Sequence, residues 1–156
     1  MTERAQEPTP GSAASAPKMR VHFGGFGLNM GETRAALHAQ LQAESPLPLR
    51  LELIPLPGGY TILDDEFVVR TSKEWGMSSQ PVVLTTQRLI FSAAKGATVI
   101  RLQDITAVTY RKSLVGYASV VVEVAAGGRV ILPAYVNGQQ VRGDIAAMVE
   151  FAGRSS

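Results

Sequence analysis

The 156-residue chain contains no cysteine, which removes disulfides, thiolate nucleophiles and thiolate metal ligands together. Stability has to come from packing. It has only two histidines, His22 and His38. Their spacing matches no zinc motif, and neither stands in a pattern that would make it the base of a nucleophilic site. No apolar run approaches the roughly 20 residues that a membrane-spanning helix requires, and the polar, proline-bearing start lacks the basic-then-apolar order of a signal peptide. A cytoplasmic location is therefore expected. Charged residues are scarce, at 18%, and the net charge is +2, so a generally basic nucleic-acid surface is not expected.

Apolar residues make up 46% of the chain, enough for one core and one domain with a terminal extension. Residues 1–18 are rich in Ala, Ser, Pro, Thr and Glu, without periodicity, and read as a disordered tail. Residues 19–57 read as an extension. Its parts are a short strand around Arg20 to Phe23, a Gly-rich link, a helix entered through a capping box at Asn29 and Glu32 and stopped by Pro46, and an edge strand. Met30, Leu37 and Leu41 share one face of that helix, and Leu47, Leu49, Leu51 and Leu53 alternate along the strand. Whether this extension packs on the domain or on another chain is left open. The domain proper spans residues 58–154, beginning after the turn formed by Pro55, Pro57, Gly58 and Gly59.

At the centre of the domain is V-V-L-T-T-Q-R-L-I-F, residues 82–91. Val82, Leu84, Leu89 and Phe91 fall on alternate positions and point to one side of a hairpin; Arg88 and Ile90 point to the other and are expected to be outward. Further strands follow at residues 99–102, 105–110, 120–124 and 130–136, separated by short turns, and the loop 113–118 contains Gly116. The pattern is that of a meandering sheet or small barrel. A last helix starts near Asn137 and Gln140, carries the stripe Val141, Ile145, Met148, Val149 and Ala152, and has Gly153 as its C-terminal cap. Leu84, Leu89, Phe91, Leu102, Ile105, Val122, Ile145 and Met148 are the expected core.

The segment L-T-x-x-R-L-I-F, followed by I-R-L-Q-D-I-T-A-V, a hydrophobic strand and a Gly-rich turn, resembles pleckstrin-homology-like domains, particularly their GRAM and bacterial branches, over residues 64–153. The resemblance implies a mainly β (α+β) fold: a seven-stranded, antiparallel, partly open β-barrel capped by a C-terminal helix. It also implies a non-enzymatic binding or scaffolding role. Phosphoinositide-binding members of that superfamily carry a basic motif on the first two strands, of which this chain has only Arg70, Lys73 and Arg88, interrupted by Glu74.

Candidate chemistry is sparse. Gly25-x-Gly27 lacks the third glycine of a dinucleotide fingerprint, since position 30 is Met30, and no P-loop triplet follows. Asp64, Asp65 and Glu66 form the densest carboxylate run. They lack the wider ligand ladder of a calcium or magnesium site and read as a solvated approach to a strand. No cofactor and no small-molecule substrate is expected.

Between Arg88 and Arg129, six cations face only two carboxylates, Asp104 and Glu123, which makes this half locally basic. The candidate surface for an anion, a lipid or a protein partner is Arg70, Lys73, Trp75, Arg88, Lys95, Arg101, Arg111, Lys112 and Arg129. The first expectation is protein interaction or self-association through an exposed sheet edge, occupied by a peptide, a second copy or the chain's own residues 47–53. The alternative is peripheral attachment to anionic membrane lipid, with Trp75 and Met77 inserting from a loop. Nucleic acid ranks below both, because the few aromatics are not interleaved with the cations.

Overall fold

The computed structural model describes residues 30–77, 81–93, 96–116, 118–133 and 137–155. The tail, the Arg20 to Phe23 strand with His22, the Gly-rich link, Asn29, Lys95 and the end of the 130–136 strand lie outside these residues. Within them the fold is mainly β, of the α+β class. Helix α1 (Met30–Gln42) precedes seven strands: β1 (Val68–Thr71), β2 (Val82–Thr85), β3 (Arg88–Ala93), β4 (Gly96–Arg101), β5 (Ile105–Lys112), β6 (Ala118–Val124) and β7 (Arg129–Pro133). Helix α2 (Gly138–Ser155) ends the chain.

The strands form two antiparallel sheets, ordered β1-β2-β3-β4 and β5-β6-β7, and the described strands do not close into a barrel. A single 3-10 turn, Leu102–Asp104, carries the chain from one sheet to the other. The central hairpin has Val82 opposite Phe91 and Leu84 opposite Leu89, so these four side chains share a face. They join Leu102, Ile105, Val122, Ile145 and Met148 in one buried cluster between the sheets. Helix α2 presents Val141, Ile145, Met148 and Phe151 to that cluster, the i, i+4, i+7 spacing of a helix lying on a core. It runs through Gly153 to Ser155, so Gly153 is not its C-terminal cap. The glycine lies inside the last turn.

The opposite face of the four-stranded sheet departs from expectation. Ile90 has no exposed surface and lies in a second cluster with Leu56, Val68 and Val83, against which Ile54, Ile62 and Val99 pack. The extension is the reason. Residues 54–62 run across this face as a strap, Leu47 and Leu49 before them pack on the main core, and the expected strand over residues 47–53 is realised only as one bridge, Arg50 to Val68. Leu49 is buried, while Leu51 and Leu53 are exposed. A short 3-10 turn, Pro57–Gly59, lets the strap approach β3 and β4. Gly58 has φ 75° there, and a Cβ at this position would overlap the Ala97 side chain, so both backbone freedom and small size are needed.

Helix α1 also packs on the domain. Leu37 and Leu41 lie against the main core. His38 donates from Nε2 to the Leu49 carbonyl at 2.7 Å and meets the Phe67 ring edge-on, with centroids 5.3 Å apart. This histidine is a half-buried tether between α1 and the segment that follows it.

Candidate functional site

Most of the polar residues near the first sheet are used in holding it together. Glu66 was expected to be solvated and is fully buried. Its Oε1 accepts from the Leu63 N–H at 3.0 Å and from Arg88 Nη2 at 2.6 Å; its Oε2 accepts from Arg88 Nε at 2.8 Å and from the Thr85 hydroxyl at 2.5 Å. The same Thr85 oxygen accepts from the N–H groups of Gln87 and Arg88, which shapes the β2–β3 turn. Arg88 is consequently a buried, doubly hydrogen-bonded partner of Glu66 and not part of a free cationic surface. Asp65 is likewise buried, and its Oδ1 accepts from Gln87 Nε2 at 3.0 Å.

A second knot ties the β1–β2 connection to α2. Trp75, expected in an inserting loop, is 1% exposed, and its indole N–H donates to Asp144 Oδ2 at 2.9 Å. Arg70 Nε donates to the same oxygen at 3.1 Å, and Asn137 Nδ2 donates to the Trp75 carbonyl at 2.8 Å. Met77 is buried as well. A Trp75 and Met77 membrane foot is therefore ruled out in this fold, because both side chains lie inside the core cluster.

Arg34 escaped the sequence reading. It occupies the inner face of α1, donates to the carbonyls of Leu51, Leu63 and Asp64, and lies 4.2 Å above the Phe67 ring centroid. Burial lowers its pKa from the ordinary value, against the opposing pull of Asp64, Glu66 and Asp65. Its place at i−3 from Leu37 and i−7 from Leu41, on the face that packs on the domain, was the available signal.

Lys73, Arg101, Arg111, Lys112 and Arg129 remain exposed among the expected surface residues. They do not form one patch. Arg101 lies 3.7 Å from Asp104 on the sheet-to-sheet turn. Arg129 is the register partner of Glu123 on the three-stranded sheet. Only Arg111 and Lys112 are brought together, lining an open groove of about 610 Å³ with Ser113, Ala118 and Ser119. Beside it, Leu114 is 107% exposed and Val115 77% exposed. On the same sheet, β7 is an edge strand, hydrogen-bonded to β6 alone among the described strands, and its Ile131 is 58% exposed.

Among the described residues no group of three His, Asp or Glu side chains is positioned to hold a metal ion, and no helix is long and apolar enough to cross a membrane. No family model matches the chain, and no curated protein matches it.

Proposed function

We propose that the chain is a non-enzymatic, cytoplasmic binding module of the pleckstrin-homology-like type, which recruits another polypeptide through the free edge of its three-stranded sheet. The observation that carries this reading is β7: a strand paired on one side alone among the described strands, with exposed Ile131 in register with Val121 and, beyond it, Thr109. Unpaired backbone groups along such an edge are a template for an added strand, and alternate side chains give the contact its selectivity. Pro133, at the end of β7, is tolerated on an edge because no ladder hydrogen bond is asked of its nitrogen. The order of four strands, three strands and a C-terminal helix supports the pleckstrin-homology-like assignment. The absorption of Glu66, Arg88, Asp144 and Arg70 into structural pairs supports binding over catalysis.

A second copy is the first partner to test. Light scattering during size-exclusion chromatography should show the parent associating with rising concentration, whereas Ile131→Lys, which puts a charge on the edge, should stay monomeric with an unchanged melting temperature. A parent that stays monomeric throughout rejects self-association. The wider reading is then tested by cross-linking in a lysate: bands retained equally by the parent and by Ile131→Lys reject the β7 edge.

A further inference from the structure

The turn at the tip of the β5–β6 hairpin carries the two most exposed large apolar side chains among the described residues. The Gly116 N–H donates to the Ser113 carbonyl at 3.0 Å and Gly116 has φ 94°, which closes a tight turn with Leu114 and Val115 at its two corners. Turn corners in water are normally given to Asn, Asp, Pro or Gly, whose conformational habits suit the bend. Leu and Val contribute nothing to that geometry. Below the turn, β5 and β6 stay in register up to Lys112 opposite Ala118. The aliphatic side chains are thus presented outward on a paired ladder.

The charge along the hairpin next to the turn has one sign. Arg111 and Lys112 precede the turn, both exposed and without an ion-pair partner among the described residues, and residues 105–122 contain no carboxylate. The groove of about 610 Å³ between Arg111, Lys112, Ser113, Ala118 and Ser119 sets two cations and two hydroxyl-bearing residues next to the apolar corner.

We propose that this tip is a membrane foot. Leu114 and Val115 enter the interfacial layer of a bilayer, while Arg111 and Lys112 remain at headgroup level against anionic phospholipid. A bilayer is favoured over a protein partner by shape and charge together. Two aliphatic side chains on a convex tip require a preformed pocket in a protein, whereas a bilayer admits them anywhere, and its anionic leaflet attracts the adjacent cations. The inference is independent of the β7 edge and stands whether or not that edge is used.

The test is flotation of the full-length chain with vesicles of phosphatidylcholine alone and of phosphatidylcholine with phosphatidylserine. The parent should float with the mixed vesicles and not with the neutral ones. Flotation should fall as salt rises from about 0.1 M to about 1 M, where the screening length shrinks from about 10 Å to about 3 Å. Leu114→Ser with Val115→Ser should reduce binding at least tenfold, and Arg111→Gln with Lys112→Gln should reduce it about fivefold for each charge removed. Both double variants replace exposed side chains, so their melting temperatures should match the parent's. A parent that fails to float with phosphatidylserine vesicles overturns the proposal, as does a Leu114→Ser, Val115→Ser chain that floats as well as the parent.

Discussion

Four hydrogen bonds converge on the two carboxylate oxygens of Glu66, a residue with no exposed surface. An unpaired carboxylate in such a place would cost several kcal/mol, and the bidentate guanidinium of Arg88 is what makes its burial tolerable. Glu66→Gln and Arg88→Met should each destabilise the fold by about 3 to 5 kcal/mol, since each leaves a polar or charged partner buried and unsatisfied. The double change Glu66→Gln, Arg88→Met should cost less than the two losses added together, because no charge is then left buried without its partner. Urea denaturation of the three variants measures this; strictly additive losses would mean that the pair is not coupled. Both residues were visible in the sequence, Glu66 in a carboxylate run and Arg88 in a strand motif, but 22 positions apart. Their one-letter pattern reads as two solvated charges, and only the fold brings them together. Trp75 was misread for a similar reason: its nearest polar partner, Asp144, lies 69 residues away.

At the scale of elements, β3 buries both of its faces. Leu89 and Phe91 point into the main core, and Ile90 points into the cluster under the strap. Phe91→Ala should cost about 3 to 5 kcal/mol and Ile90→Ala about 2 to 5, so that the two changes are of similar severity. Thermal melts of both variants decide it; an Ile90→Ala chain that melts with the parent would mean that the strap does not hold the outer face closed. Alternation along residues 82–91 correctly separated the two faces, and the eight core residues it helped to choose lie in one buried cluster. It could not say that the outer face is covered. Period-two patterning reports which side chains share a face, whereas burial depends on what crosses that face, here a segment about 30 residues earlier in the chain. Helix α2 was easier to read, because its stripe at helical spacing faces a core whatever else is packed nearby. The hairpin tip lay in plain sight as a loop, and its signal was two aliphatic residues where a turn normally places polar ones.

For the molecule as a whole, residues 30–63 belong to the folded unit. Helix α1 packs Leu37 and Leu41 on the main core and Arg34 over the Phe67 ring, and the strap covers Val68, Val83 and Ile90. A boundary near residue 57, suggested by the cluster of Pro and Gly, would cut through this packing: the punctuation marks a sharp turn on the sheet surface. Removing residues 1–57 strips the cover from three buried aliphatic side chains, each worth about 1.5 to 3 kcal/mol, for a loss on the order of 5 kcal/mol. Against the roughly 5 to 15 kcal/mol that stabilises an ordinary domain, such a loss should leave the truncated chain partly unfolded or aggregated. The expected result is a lower urea midpoint together with dye binding to newly exposed apolar surface. A truncated chain with the parent's midpoint would show that the strap rests on the sheet without stabilising it. The comparison also fixes how an oligomer is to be read. Because the uncovered face is itself apolar, association seen only after truncation would report Ile90 and its neighbours sticking together, whereas association of the intact chain abolished by Ile131→Lys would report the β7 edge.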